Sequence, residues 1–213
     1  MFDSVARRYD AINRLLSLGL DRRWRRAAAQ AVDVQRGDAV LDLGCGTGEL
    51  GRLLAGRCAV VGVDVSAEML TLARGKRGSG AIVQGSAFRL PFRSAAFRAA
   101  VSGFLLRNLH DLPAAFAELA RVVSPAGRVA LVDITEPSNR WLRRLFDAYF
   151  SRVAPALGSL AGNAQAYRYL VGSLAQLPPR EEVLVMLREA GFDDASARPM
   201  TGGVITLFTA VRR

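Results

Sequence analysis

The chain has 213 residues, 51% of them hydrophobic, and a formal net charge of +10 at pH 7. This length suits one well-buried core and is short for two. No apolar run reaches the roughly 18–20 residues that cross a bilayer, and Met1-Phe2-Asp3-Ser4 lacks the basic-then-apolar order of a leader, so a cytoplasmic chain with one domain over 1–213 is expected. Cys45 and Cys58 are the only cysteines and His110 is the only histidine. Without C-x-x-C or H-x-x-x-H spacing, a disulfide framework is excluded and a transition-metal site has no ligand set.

Residues 1–36 read as a helical entry segment. Phe2, Val5, Tyr9, Ile12, Leu15 and Leu16 recur at helical spacing, Gly19 interrupts them, and a basic stretch runs from Asp21 to Val32. Short apolar runs then alternate with helical ones: a strand at Ala39–Leu43, a helix at Glu49–Ala55, a strand at Ala59–Val65 and a helix at Ala67–Arg74. Such alternation predicts βαβ units and a parallel sheet. Further strands are expected at Ala81–Gln84, Ala99–Gly103 and Arg128–Ile134. A helix over Leu112–Val123 carries Asp111 as its cap and Pro113 in its first turn. Residues 138–177 are helical and aromatic and read as a cover over the active site. A helix at Glu181–Ala190 and a closing hairpin of Ala195–Arg198 and Val204–Val211 complete an α/β, Rossmann-like fold whose mostly parallel sheet ends in an antiparallel pair.

The sharpest local signal is Val40-Leu41-Asp42-Leu43-Gly44-Cys45-Gly46-Thr47-Gly48, a strand running into a glycine turn. It is followed by Val61-Gly62-Val63-Asp64-Val65, where an acid ends the next strand. Ligands of open parallel sheets bind beyond the carboxyl ends of the strands, and Asp64 stands where both hydroxyls of a ribose can donate to it. A nicotinamide site would read G-x-G-x-x-G, with a pyrophosphate on the helix terminus. Here the spacing is G-x-G-x-G and Asp42 precedes it, an anion that disfavours phosphate and suits an ammonium and a sulfonium. The expected cofactor is S-adenosyl-L-methionine, held by Asp42, Gly44, Gly46, Asp64 and Val65. After the third strand Ser86 and Ala87 either read its adenine edge or form a plain loop, and Gly103 after the fourth either lies near the transferred methyl or serves packing.

In this loop, and in Met1-Phe2-Asp3-Ser4-Val5-Ala6, Arg8-Tyr9-Asp10, Asn13-Arg14-Leu15-Leu16-Ser17, Leu106-Arg107-Asn108, Tyr167-Arg168-Tyr169-Leu170 and Thr201-Gly202-Gly203, the chain resembles a known family. It is the family of methyltransferases that add the ring methyl in menaquinone and ubiquinone biosynthesis, the demethylmenaquinone methyltransferase-like enzymes. The resemblance implies a class I methyltransferase fold of seven strands and C-methylation of a polyprenylated hydroquinone, with demethylmenaquinol foremost. It places Thr47, Asp64, Ser86 and Ala87 at the cofactor. The chain departs from the family at Ser86, at Gly103, where serine is frequent, at Leu105, where glycine is usual, and in the turn Ser124-Pro125-Ala126-Gly127.

Methylating an aromatic carbon requires in-line positioning and an acceptor ring activated by loss of its hydroxyl proton. Arg107 and Asn108, just past the fourth strand, are the expected catalytic pair, Arg107 as an electrostatic stabiliser; the alternative is a structural salt bridge and a turn residue. His110 is a weaker candidate, oriented by Asp111. Tyr9, Tyr149, Tyr167 and Arg168 are candidates to wall a lipophilic quinol, against the alternative of core or lid packing. The basic stretches Arg22, Arg23, Arg25, Arg26 and Arg140, Arg143, Arg144 offer peripheral contact with the anionic inner face of a membrane, against the alternative of solvated helix faces. A homodimer is compatible with these residues. Rival readings are an RNA methyltransferase, another small-molecule methyltransferase, a nicotinamide-dependent oxidoreductase, and a binding protein that keeps the fold without catalysis. The basic surface alone suits nucleic acid, but Ser102-Gly103-Phe104-Leu105 lacks the Asn/Asp-Pro-Pro-aromatic arrangement of base-amine methylation.

Overall fold

The structure, a computed structural model, describes Asp10 and residues 13–76, 78, 80–153 and 177–213. Seven strands form one sheet: β1 (Ala39–Leu43), β2 (Ala59–Asp64), β3 (Ala81–Gln84), β4 (Phe97–Gly103), β5 (Val123–Ile134), β6 (Phe192–Met200) and β7 (Ile205–Arg212). Their order is β3-β2-β1-β4-β5-β7-β6. Pairing is parallel from β3 to β5 and antiparallel where β7 joins β5 and β6. The chain order reverses between β1 and β4, and at such a switch point the connections part in opposite directions, opening a crevice beyond the strand ends.

Alternation along each strand feeds two apolar layers, one per face. Leu41, Val129 and Leu131 point into a layer with Phe116 and Leu119 of α3 (Leu112–Val122) and Leu187 of α5 (Arg180–Glu189). Val40, Ala130 and Val132 point into the other, with Trp24 and Ala28 of α1 (Asp21–Ala31). With both faces covered, the central strands read as near-continuous apolar runs. Local caps fix where helices begin. Ser66 Oγ accepts the Met69 amide at 3.2 Å to start α2 (Ala67–Arg74), and Asp111 Oδ1 accepts the Ala114 amide at 2.9 Å to start α3. Asn139 accepts the Trp141 and Leu142 amides to start α4 (Arg140–Ala148), which runs on into a wider turn, Tyr149–Val153.

Three expectations are corrected. In place of a helix over Glu49–Ala55 there is one three-residue helical turn, Gly51–Leu53. Gly48 takes φ +79°, and the Gly51 amide donates to Asp42 rather than along a helix. The strand expected from Arg128 begins at Val123, which pairs with Phe97 before residues 124–127 bulge out; Arg128 then pairs with Ala99. Arg25 is buried inside the fold, 7% exposed, whereas Arg22, Arg23 and Arg26 are exposed, so Arg25 does not belong to a lipid-facing basic row. Within the expected cover, α4 and its following turn are helical as read; residues 154–176 lie outside the described residues.

Candidate active site

A cleft of about 170 Å³ opens above the carboxyl ends of β1, β2 and β4. Gly44, Gly46, Asp64, Val65, Ser86, Ala87, Gly103 and Asn108 line it, so eight of the predicted site residues converge on one space. Gly44 takes φ +65° and a Cβ there would stand 2.8 Å from the Leu105 side chain; only glycine fits both the turn and the approach. Leu105 thus packs on the glycine turn and lines the cleft. Asp64 Oδ2 accepts the Gly46 amide at 2.8 Å and Oδ1 accepts the Ser66 amide at 3.0 Å. Those bonds fix the carboxylate at the rim, and each oxygen keeps a second lone pair for a ligand hydroxyl. Ser86 Oγ accepts the Phe88 amide at 3.2 Å and shapes the loop opposite.

Two predicted cofactor residues stand just behind the cleft. Asp42 is almost fully buried, its Oδ2 accepting the Gly51 amide at 2.8 Å. Its Oδ1 has no hydrogen-bond partner among the described residues. Burial pushes its carboxyl up to about 7, opposed by the Gly51 amide and the Arg25 charge and reinforced by Asp64. Thr47 donates from its hydroxyl to Asp10 at 2.6 Å. Asp10 also accepts from Lys76, the only lysine of the chain, at 2.5 Å, and Lys76 reaches Glu49 at 2.7 Å. Asp10 is thereby clasped to the glycine turn by an ionic chain.

Beside this cleft lies a larger cavity of about 680 Å³ with a mainly apolar lining. Its walls come from the entry segment (Asn13, Leu16, Ser17, Trp24), from α4 (Leu142, Leu145, Phe146), from Tyr149 and Phe150, and from β7 (Ile205). Phe104 lines both spaces and is the partition between them. Its backbone sits at φ +67°, a left-handed conformation that a bulky residue adopts only when its surroundings enforce it. Two guanidinium groups flank its ring: Arg25 lies 4.9 Å and Arg107 5.9 Å from the centroid, within cation–π range. Arg107 lines the larger cavity and is 6% exposed. It donates to Asp133 Oδ1 at 2.5 Å and to the Phe104 carbonyl at 3.1 Å, and its backbone amide donates to Asp133 Oδ2 at 3.2 Å. The guanidinium is therefore ion-paired, as in the structural reading, and it also lines the cavity.

Asn108 donates to the Phe104 carbonyl at 3.1 Å and faces the smaller cleft. His110 is exposed, its ring 4.4 Å from that of Phe88, and lines neither space. Tyr149 lines the larger cavity and donates to the Leu16 carbonyl at 2.8 Å; burial raises its phenol, so it stays protonated. Tyr9, Tyr167 and Arg168 lie outside the described residues. Burial pushes both cysteine thiols upward, with Asp42 and Asp64 adding to the effect at Cys45, which removes both as nucleophiles near neutral pH. Among the described residues no cluster could hold a metal ion, and no helix is long and apolar enough to cross a membrane. Sequence reasoning missed Asp133 and Phe104. An acid inside the apolar run Ala130-Leu131-Val132-Asp133 signals a buried cation partner, whereas nothing local marks Phe104.

The cleft occupies the nucleotide position of Rossmann-like sheets, yet its G-x-G-x-G turn and the buried Asp42 suit a cationic ligand rather than a pyrophosphate. The fold is that of a class I S-adenosylmethionine-dependent methyltransferase, and the cleft is its candidate cofactor site. Residues 1–212 match the ubiE/COQ5 methyltransferase family, and the chain belongs to it. It is 40% identical over 214 residues to the demethylmenaquinone methyltransferase of Mycolicibacterium vanbaalenii, covering 100% of this chain and 93% of that protein. To the ubiquinone/menaquinone biosynthesis C-methyltransferase UbiE of Syntrophotalea carbinolica it is 37% identical over 219 residues, covering 100% and 92%. Among solved structures, a SAM-dependent methyltransferase from Aquifex aeolicus shares the fold with a TM-score of 0.63 at 16% identity, covering 89% of each chain.

Proposed function

We propose that the protein methylates a ring carbon of a polyprenylated hydroquinone, with demethylmenaquinol as acceptor and menaquinol as product. The observation that carries this reading is the apolar cavity of about 680 Å³ with the buried Arg107 at its wall, set against the cofactor cleft across Phe104. An apolar space with few polar groups fits a quinone head and the start of its tail; a nucleobase substrate would need more hydrogen-bonding partners.

The site fits S-adenosylmethionine on two observations. The glycine turn leaves open space at Gly46, where a Cβ would meet nothing within 4 Å, and Asp42 Oδ1 is a buried acceptor without a partner among the described residues. When bound, the cofactor supplies an electrophilic methyl on a sulfonium centre. Asp64 holds the ribose, Gly44 and Gly46 let the backbone approach, and Ser86 and Ala87 face the adenine. Arg107 favours the acceptor as its phenolate by placing fixed positive charge where negative charge develops. Trp24, Phe146 and Phe150 exclude water, which strengthens that interaction. Asp64→Ala is expected to weaken cofactor binding roughly 100-fold, about 2.7 kcal/mol, measured by titration calorimetry; an unchanged affinity removes Asp64 from the ribose contact.

Peripheral contact with an anionic membrane face through the basic helices belongs to the same reading, because a polyprenyl tail resides in a bilayer. The experiment is transfer of labelled methyl from S-adenosylmethionine to a panel of reduced demethylmenaquinone, a demethylated ubiquinol precursor and bulk RNA. Label on the naphthoquinol is expected. Label on the benzoquinol alone reassigns the ring, and label on RNA alone overturns the proposal.

A further inference from the structure

We infer that the apolar flank of α4, centred on Trp141 and Leu145, is a docking surface for an anionic lipid bilayer, and that the bilayer-facing helix doubles as the wall through which the substrate tail reaches the cavity. The inference rests on the quinol reading of that cavity and adds the surface and the partner.

At 100° per residue, Trp141, Leu145 and Ala148 share one sector of α4, and Leu142 and Phe146 share the next. Phe146 is buried and turns inward, whereas Trp141 is 73% and Leu145 67% exposed. Large apolar side chains on one exposed helix flank need a partner other than water. Arg140 and Arg144 border this sector, and the Arg144 guanidinium lies 5.2 Å from the Trp141 ring centroid. Arg143 pairs instead with Glu136. An indole at the surface, leucines beside it and arginines at its edge match a helix lying in a headgroup region, with the apolar flank below and the guanidinium groups at the phosphates.

Helix α1 is a poorer candidate. Its exposed residues include Arg22, Arg23 and Arg26, and its large apolar side chain, Trp24, is buried and donates to Thr201 Oγ1 at 2.8 Å. It offers charge without an apolar anchor. The position of α4 also argues for lipid rather than a protein partner. Leu142 and Leu145 line the 680 Å³ cavity, so the apolar surface continues from the outside of the helix to the interior. The turn carrying Leu18, 77% exposed, flanks the same cavity and is tied to the end of the helix by the Tyr149 bond to the Leu16 carbonyl.

The test uses the full chain without cofactor or quinol, mixed with vesicles of phosphatidylglycerol or of phosphatidylcholine. Trp24 is buried but lines the cavity, so the emission change of Trp141→Phe, which keeps only Trp24, is subtracted and the remainder reports Trp141. Expected are a blue shift and co-sedimentation with phosphatidylglycerol, weakened by salt, and at least a tenfold lower partition coefficient for Trp141→Glu and for the pair Arg140→Gln, Arg144→Gln. Each variant is checked for wild-type circular dichroism, and the arginine pair decides the matter if Trp141→Glu does not fold. Wild-type partitioning of folded variants, no binding to either vesicle, or a dimer in sedimentation that Trp141→Glu dissolves would overturn the inference. Vesicle binding that persists while no quinol is methylated sinks the substrate reading and leaves the docking surface standing.

Discussion

Arg107→Ala is expected to lower stability by about 3–5 kcal/mol and methyl transfer by at least about 100-fold, while cofactor affinity stays within a few-fold of wild type. The stability loss follows from Asp133, which has no solvent exposure and would be left buried without the guanidinium 2.5 Å away. Removing one partner of a buried pair strands the other; replacing both by apolar groups of similar volume is close to neutral. The double variant Arg107→Met, Asp133→Asn removes both charges and keeps an amide oxygen for the Arg107 and Ile134 backbone amides, so it should recover part of the melting temperature. It should not recover turnover, because the positive charge at the cavity wall is gone. Thermal unfolding, calorimetric titration with cofactor and methyl transfer on the three proteins separate the two roles. A double variant that is stable and fully active would make Arg107 a structural residue alone.

What is legible in the sequence divides along the distance over which each feature is determined. The boundaries of β1, α2 and β3 match the sequence reading because each is set locally, by an apolar run between breakers or by a cap such as Ser66. The segment after Gly48 has helical apolar spacing, yet the Gly51 amide is claimed by Asp42 nine positions earlier. A periodicity argument cannot weigh that competitor. Arg25 reads as one arginine in a basic row, but α1 turns it onto the same side as Trp24 and Ala28, where Asp21 lies 3.8 Å away. In the candidate site, the glycine turn and Asp64 are legible because β1 and β2 carry them directly to the crevice. Phe104 is not, since the two arginines that flank its ring are brought from α1 and from the turn after β4. Asp133 has a legible sign, an acid in an apolar strand, but its partner is set by the pairing of β4 with β5.

Asp42 makes a second large prediction, this time about pH. Its carboxyl ionises at about 7 in the folded chain, chiefly because burial penalises the charge, and near 3.9 once unfolded. Between those values the folded state binds the proton that the unfolded chain has released, so stability falls as pH rises from about 4 to about 7 and then levels off. The gap between the two ionisation points corresponds to about 4 kcal/mol at most. Asp42→Asn keeps an oxygen for the Gly51 amide and cannot ionise; it is expected to lose this slope and to be no less stable than wild type at pH 8. Cofactor binding should respond in the opposite sense. A ligand bearing an ammonium and a sulfonium prefers the ionised carboxylate, so wild-type affinity should rise through pH 7, approaching tenfold per unit on the acid side where binding releases one proton. Wild-type binding at pH 5.5 is then roughly 30-fold weaker than at pH 8, whereas Asp42→Asn binds with a flat profile near the weak limit. Calorimetry in buffers of different ionisation enthalpy counts the released proton directly. Equal slopes for the two proteins would place the anionic charge that meets the cofactor at Asp64 and leave Asp42 as the clamp on Gly51.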